Sequence, residues 1–223
     1  MVMIAHAAIN EKGKVSGGQA GDQNGKEVCI RSWYNRPWNV VIRLKDEEMR
    51  KRLAFAMKSA ADNGRIGYNQ AKRNTLLTFA RFVNYDLSKV KTPCETDCSA
   101  LVSVACMYAG IPENVLYRGG NCSTTSNLKA RLKPYSTLFT SKDYTQKTDK
   151  LEVGDILLYE GSHVAVVIAV DTPKVEPKVI TDIANEVIAN KWGTGSERKK
   201  RLTDAGYNYE EVQAEVNRIL KER

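Results

Sequence analysis

The chain has 223 residues, 42% of them hydrophobic, and a net charge of +8. This length suits one domain of moderate size, with or without a small module, and the composition excludes collagen-like and disordered proteins. The longest apolar runs, such as residues 164–170, are too short to cross a bilayer, so we expect no membrane insertion. The first residues lack a basic stretch followed by an apolar one, so we expect no signal peptide and a protein that starts out in the cytoplasm.

The cysteines number five, and an odd count fits free thiols better than a disulfide framework. Cys94 and Cys98 are spaced like metal ligands, but no second close pair accompanies them and the chain has only two histidines. We therefore expect no metal and no cofactor. Whether Cys29, Cys94 or Cys122 enter a disulfide stays open.

The positive charge falls on the part of the chain before Val179, because residues 179–223 hold eight basic and eight acidic side chains. A basic body attracts polyanions, which include nucleic acids and anionic wall polymers. A nucleic-acid reader should show a recognition motif or a basic helix. The one basic cluster, residues 198–201, lies in the neutral tail, so we expect no nucleic-acid partner.

The first forty residues predict β structure. Apolar runs over residues 1–9, 27–34 and 39–43 predict strands. A Gly-rich loop, residues 13–25, separates the first two. Its glycines let the backbone approach a peptide closely or simply turn.

Three helices are predicted next. Asp46 resembles the N-cap of a helix that runs to about Met57, with Asn63-Gly64 as the stop. Apolar residues at helical spacing predict a second helix over residues 68–83, and an apolar run predicts a third over 98–109. Two short strands within residues 151–170 follow, so the sequence predicts an α+β domain.

The segment 172–178 contains two prolines and predicts a linker between a domain at 1–171 and a module at 179–223. A module of about 45 residues without disulfides makes a marginal fold. Caps and apolar stripes predict a three-helix bundle there, with helices over 180–191, 197–205 (capped by Ser196) and 209–220 (capped by Asn208).

Cys98 is a candidate nucleophile because it opens an apolar helix, whose positive end favours a thiolate. His163 opens a later strand and is a candidate general base. The alternatives are a buried inert cysteine, such as Cys106 in the same helix, and a histidine satisfied at a strand end.

Three segments, in this order, resemble the NlpC-type papain-like peptidases that cut bacterial peptidoglycan: Asp97-Cys98-Ser99-Ala100-Leu101-Val102, Gly154-Asp155-Ile156-Leu157 and His163-Val164-Ala165-Val166-Val167. The resemblance covers roughly residues 90–170. It implies a papain-like domain in which N-terminal helices pack on a small antiparallel sheet. It also implies that Cys98 attacks an amide and that His163 acts as its base.

The chain departs from that family at the third polar group, which should orient the imidazole. In the family this group lies on the strand after the histidine strand, and here the linker already begins at Asp171. The run 3–7 resembles the missing strand moved to the front of the chain, which would make His6 the orienting residue. The alternatives are that His6 is a plain surface histidine and that Asp171 or Gln23 fills the role.

Further substrate contacts are predicted around the nucleophile and in the tail. Asp97 and Ser99 flank Cys98, and Gln23 lies in the Gly-rich loop. Trp33, Tyr34 and Trp38 either line a groove or pack in the core, and core packing is the favoured reading.

The tail resembles the Cpl-type wall-binding repeat of phage lysins. The resemblance is carried by Glu186-Val187-Ile188-Ala189-Asn190-Lys191-Trp192-Gly193, by Ser196 to Leu202, by Ala205-Gly206-Tyr207-Asn208-Tyr209 and by Val212 to Asn217. It implies that Trp192 and Arg198, with Tyr207 and Tyr209, contact a muropeptide. The alternative is that the aromatic residues form the core of a small bundle.

Together these patterns predict a phage-type endolysin that cleaves an amide of the peptidoglycan stem peptide as an endopeptidase. Cleavage of the lactyl amide, as by an N-acetylmuramoyl-L-alanine amidase, is the alternative. A wall-binding protein with an inactive catalytic domain is the non-enzymatic alternative. We expect the protein to wait in the host cytoplasm and to act on the wall after release; host and oligomeric state stay open.

Overall fold

A computed structural model of the chain describes residues 1–170 and 180–221. Contacts within the chain divide it into two compact units, residues 1–171 and 172–223. The predicted linker 172–178 and Asp171 lie outside the described residues. Within the described ranges, no helix combines the length and the apolar character needed to cross a bilayer.

The first unit contains a six-stranded antiparallel sheet. Its strands are β1 (Val2–Ala7), β2 (Val28–Ser32), β3 (Val40–Leu44), β8 (Ser136–Phe139), β9 (Ile156–Tyr159) and β10 (His163–Val170). Across the sheet they follow the order β2-β1-β10-β9-β3-β8, so the first strand of the chain lies beside the last one. This is the place that the rearranged-strand hypothesis assigned to the N-terminal run.

Both faces of the sheet are covered, which explains why its central strands are almost continuously apolar. On one face Ile42, Val164 and Val166 join the main core. On the other face Ala165 and Val167 pack in a smaller cluster around Trp38. The sheet is therefore larger and more central than the small sheet expected from the sequence.

Two helices, α1 (Glu47–Asp62) and α3 (Cys98–Ala109), cover the main face of the sheet and pack on each other. The Asp46 side chain accepts a hydrogen bond from the Met49 N–H at 2.8 Å, as predicted for an N-cap, and α1 ends at Asp62, just before the predicted stop at Asn63-Gly64. Almost every residue of α3 is buried, because the helix lies between the sheet and α1.

The prediction of one continuous helix over 68–83 is wrong. Tyr68 ends a short strand, β4 (Ile66–Tyr68), which pairs in parallel with β5 (Cys94–Thr96). The Asn69 side chain then accepts from the Ala71 N–H at 3.0 Å, so the chain turns instead of continuing a helix. The remaining elements of this segment are short: 3₁₀ turns Gln70–Lys72 and Arg81–Val83, and α2 (Thr75–Ala80).

Residues 110–150 contain several short elements that the sequence did not predict, because none is long enough to show a period. They are α4 (Glu113–Leu116), β6 (Tyr117–Arg118), β7 (Asn121–Cys122), α5 (Leu128–Leu132), β8 and α6 (Lys142–Thr145). Further 3₁₀ turns lie at Leu87–Lys89 and Lys133–Tyr135.

The second unit contains three described helices, α7 (Ile180–Ile188), α8 (Gly195–Asp204) and α9 (Tyr209–Lys221). Asn208 accepts from the Glu210 N–H at 3.0 Å, so its prediction as the cap of α9 is confirmed. The prediction that Ser196 caps α8 is wrong, because the helix begins at Gly195 and Thr194 is the N-cap. The helices share one apolar cluster: Ile183, Ala184, Val187, Leu202, Val212 and Val216.

Candidate functional site

A cavity of about 590 Å³ opens at the start of α3. One wall carries Asp97, Cys98 and Ser99, and the loop before β10 contributes Gly161 and Ser162. The first helical turn and the strand that begins with His163 therefore meet at one depression of the surface. Of the residues that the sequence singled out, Asp97, Cys98 and Ser99 line this cavity, and His163 follows the lining residues Gly161 and Ser162 in the chain.

The Cys98 side chain is buried, with 6% of the residue exposed. Burial raises the pKa of this thiol to about 12, and the charge of Asp97 raises it further. Hydrogen bonds from the backbone N–H groups of Val164 and Ser99 act in the opposite direction. Burial outweighs these hydrogen bonds, so the surroundings of Cys98 favour the thiol over the thiolate that the helix start was expected to stabilise.

The hydrogen bond from Val164 places the Cys98 sulfur next to the strand residue that follows His163. Helix α3 also packs directly on β10. Cys106, two turns further along α3, is fully buried in the main core and does not line the cavity. The two cysteines of this helix therefore occupy very different surroundings.

His6 and His163 contact each other across the pair of strands β1 and β10. The His6 Nδ1 atom lies 2.8 Å from the His163 Nε2 atom, within a buried hydrogen bond. The two rings are almost perpendicular, at 80°. Because Nε2 of His163 is engaged by His6, a further hydrogen bond of this ring would have to use Nδ1.

Burial lowers the pKa of both histidines, to about 4 for His6 and about 3 for His163. Arg31 and Arg36 lower the His6 value further, while the charges of His6 and Arg36 lower the His163 value. At neutral pH the site therefore holds a neutral thiol and two neutral imidazoles. The shared hydrogen bond needs one ring to donate and the other to accept, which fixes their tautomers together.

Trp38 supports the histidine pair. Its ring stacks on His163 with centroids 6.0 Å apart and planes 29° apart, and its Nε1–H donates to the Tyr34 carbonyl at 3.2 Å. Tyr34 lies beside His6, and Trp33 packs in the same small cluster. These aromatic residues hold the imidazoles in place, which agrees with the favoured reading of Trp38 as a core residue.

The Asp97 carboxylate is committed to the local fold. It caps α3 by accepting from the Ala100 N–H at 2.7 Å, and it forms an ion pair with Arg73, whose Nε lies 2.5 Å from Oδ2. Arg73 also donates to the Ser99 hydroxyl at 2.8 Å and to the Ser123 carbonyl at 2.7 Å. Asp97 and Ser99 thus line the cavity while fixing its floor.

The sequence analysis missed Gln70, which lines the cavity, and its neighbour Tyr68, because it placed both residues in a helix. Burial raises the pKa of Tyr68 to about 12, and the nearby Cys98 raises it further. Gln70 lines the cavity and its Nε2 donates to the Tyr68 hydroxyl at 3.2 Å. The signal available in the sequence was Asn69, whose side chain favours a turn at this point.

The other predicted positions do not join this cluster. The Gln23 side chain donates to the Ala20 and Gly21 carbonyls at 3.0 Å, within its own loop. Asp155 of the Gly-Asp motif is fully buried and accepts two hydrogen bonds of 2.7 Å from Arg43, so its role in the described structure is structural. Among the described residues no group of three or more His, Cys, Asp or Glu side chains is placed to hold a metal ion.

In the second unit, Trp192 packs edge-on against Tyr207 and its Nε1–H donates to Glu186 at 3.1 Å. The Arg198 Nε donates to the Gly193 carbonyl at 2.9 Å. Both side chains thus brace the turn between α7 and α8. Trp192 also lines a shallow cavity of about 550 Å³ with Glu186, Lys191 and Arg201.

Comparison with known proteins assigns both parts of the chain. A CW_7 repeat model matches residues 181–220. A lysozyme of Streptococcus phage Cp-7 is 50% identical over 42 residues, and the match spans 19% of this chain and only 12% of that relative's length. No solved structure matches the chain.

An endolysin-like domain model matches residues 4–173, a range that includes His6, Cys98 and His163. This range is more than half of the 223 residues. The chain therefore belongs to the endolysin-like domain family.

Proposed function

We propose that this protein is a phage-type endolysin that cleaves an amide bond of the peptidoglycan stem peptide through a cysteine nucleophile. The observation that carries the proposal is the arrangement at the cavity. Cys98 opens α3 beside β10, and the first residue of that strand, His163, has its Nε2 atom 2.8 Å from Nδ1 of His6. This is the order of nucleophile, base and orienting group that activates a weak nucleophile.

The reaction starts from neutral groups. His163 Nδ1 takes the proton of Cys98 as the sulfur attacks the amide carbonyl carbon, and the C=O electrons move to oxygen. We propose that backbone N–H groups at the start of α3 stabilise this oxyanion. His163 then gives its proton to the leaving amine, which leaves a thioester, and water hydrolyses the thioester to regenerate the thiol.

His6 acts as a positioning residue in this scheme. For His163 Nδ1 to accept a proton, the other ring nitrogen must carry the hydrogen and donate it to His6 Nδ1. The bond also orients the ring, and Trp38 stacks on its face. His6 does not reach the substrate in this scheme.

The papain-like, NlpC-type assignment is the finer part of the proposal. A cysteine-bearing helix packed on the strand that begins with histidine supports it, and the origin of the third group from β1 instead of a later strand is its departure. We favour endopeptidase cleavage within the stem peptide. Cleavage of the lactyl amide is compatible with the same site and stays the alternative.

Glycoside hydrolysis is the competing chemistry, because the phage relative is named a lysozyme. Most glycosidases use two carboxylates that flank the scissile bond. Among the described residues that line the cavity, Asp97 is the one carboxylate, and it is paired with Arg73. The cavity is thus poorly equipped for sugar cleavage and well equipped for acyl transfer.

The CW_7 repeat is proposed to hold the enzyme on the wall and so to raise its local concentration there. Trp192 and Arg198 remain the proposed muropeptide contacts, with an aromatic face for sugar and a guanidinium for a carboxylate. The bonds within the described turn engage Nε1 of Trp192 and Nε of Arg198, so the Arg198 Nη atoms remain for that role.

The test is loss of turbidity of Gram-positive cells treated with the wild-type chain and with Cys98→Ser. We expect lysis by the wild type only, while both proteins sediment with purified walls. Wall binding without lysis by the wild type would instead support the inactive wall-binding alternative. Retention on DNA that weakens with salt would point to a nucleic-acid binder.

A further inference from the structure

The side chains that line the cavity beside Cys98 carry more positive than negative charge. Its lining includes three arginines, Arg73, Arg118 and Arg131, and one carboxylate, Asp97. Arg73 and Asp97 neutralise each other through their ion pair. Among the described residues, no carboxylate forms an ion pair with Arg118 or Arg131, although the nearby Arg81 and Lys129 are each paired, with Glu113 and Glu160.

A tight hairpin turn of the backbone holds Arg118 at the cavity. It ends β6, and a two-residue turn through Gly119 and Gly120 returns the chain to Asn121 in β7. Both glycines have left-handed φ, +60° and +79°, as this tight hairpin turn requires. The Arg118 Nε donates to the Asn114 carbonyl at 2.9 Å, which leaves its two terminal nitrogens without a partner among the described residues.

Arg131 is fixed from the other side, on α5. Its Nη1 donates to the Leu116 carbonyl and to the Ser123 hydroxyl, both at 3.0 Å. Burial lowers the pKa of Arg131, and the charge of Arg118 lowers it further. Two cations thus lie close to each other at the cavity wall, and like charges so placed favour an anionic ligand between or beside them.

We propose that Arg118 and Arg131 form a subsite for a carboxylate of the wall peptide that is not part of the scissile amide. The endolysin would then prefer stem peptides with free carboxylates over peptides in which these are amidated. A carboxamide has the same shape but carries no charge, so it loses the charge-assisted bonds to the guanidinium groups. This inference rests on the proposed function, which identifies the ligand as a wall peptide. The preference for carboxylate over carboxamide can nevertheless be measured as binding, without cleavage.

The experiment separates binding from cleavage. Dissociation constants are measured for the full-length Cys98→Ser chain with two synthetic stem tetrapeptides, one with free carboxylates and one with each converted to carboxamide. We expect the carboxylate peptide to bind about tenfold more tightly, the size of one charged hydrogen bond. In the Cys98→Ser background, Arg118→Gln should bring the ratio of the two constants close to one, and Arg118→Lys should keep part of it.

Arg65→Gln is the matched control, because Arg65 is exposed and does not line the cavity. It removes the same charge and should keep the full preference. Equal affinity for the two peptides, or a preference that Arg118→Gln leaves unchanged, would overturn the inference. A clear carboxylate preference in a chain whose wild type cuts neither the two peptides nor purified walls would keep the inference and contradict the proposed function.

Discussion

His6 on the first strand and His163 on the last strand of the same sheet are joined by a buried hydrogen bond of 2.8 Å. The bond spans 157 positions of the sequence. It arises because β1 pairs antiparallel with β10. The sheet topology thus gives the imidazole that we propose as general base an orienting partner from the opposite end of the unit.

Replacement of Cys98 tests the nucleophile. Cys98→Ala should abolish wall hydrolysis, because Cys98 is the lining thiol at the start of α3 among the described residues, whereas Cys122, which also lines the cavity, lies on β7. Cys106→Ala in the same helix should cost stability through a small core cavity but keep activity per folded molecule. Rates are compared at equal concentrations of folded protein, judged by circular dichroism. Substantial hydrolysis by Cys98→Ala would remove it as the nucleophile.

Replacement of His6 tests the positioning role. His6→Ala should lower kcat on the order of 10²-fold while KM changes little, because His163 loses its tautomer and orientation but the substrate contacts remain. His6→Gln, whose amide can still accept a hydrogen bond, should recover part of kcat. Unchanged kcat in His6→Ala would show that the histidine contact has no part in the reaction.

The pH dependence of activity follows from the lowered histidine pKa values. An ordinary histidine is half protonated near pH 6.5, but His163 and His6 titrate at about 3 and about 4. The general base should therefore stay neutral from pH 7 down to about pH 5, and kcat/KM should fall only as the pH approaches 4. The profile is measured with a soluble wall peptide. An acid limb centred near 6.5 would contradict the buried, neutral pair.

Stability should also depend on pH with a definite sign. Between pH 6.5 and about 4, these histidines bind protons in the unfolded chain but not in the folded one. The free energy of unfolding should therefore fall as the pH is lowered through this window, by about 1.4 kcal/mol for each unit of pKa difference. Urea denaturation of wild type and His6→Gln at several pH values measures this dependence. The free energy of unfolding should change less with pH in the variant than in the wild type.

Asp155 should prove structural. It is fully buried and accepts two hydrogen bonds from Arg43, so Asp155→Ala leaves a largely buried guanidinium without that partner. We expect a loss of about 3–5 kcal/mol in the free energy of unfolding. Glu152→Gln is the control, since Glu152 pairs with the same arginine but is about half exposed, and it should cost about 1 kcal/mol or less. Equal losses in the two variants would contradict this assignment.

The parts of the site that depend on local sequence pattern could be predicted from the sequence. Composition and hydrophobic period predict an apolar helix that begins at Cys98 and a strand that begins at His163. The apolar run around His6 likewise predicts a strand. Its position beside β10 came from the family resemblance, since pairing between distant strands leaves no local mark.

The rest depends on tertiary packing. Tyr68 looked helical because apolar residues follow it at helical spacing, and pairing with β5 overrode that preference. Arg118 and Arg131 gave no signal because they belong to elements of two and five residues. The rise in the pKa of Cys98 could not be predicted either, because burial is set by the cavity walls and not by the helix start.

The central claim is that Cys98 cuts an amide, and end-group analysis of purified Gram-positive walls tests it most directly. Wild-type protein and Cys98→Ser are incubated with the same walls, and new amino groups and new reducing sugar ends are counted. We predict that the wild type alone releases new amino groups, which are the N-termini of free stem peptides if the lactyl amide is the bond cut. Neither protein should release new reducing sugar ends. New reducing ends released equally by both proteins would contradict it.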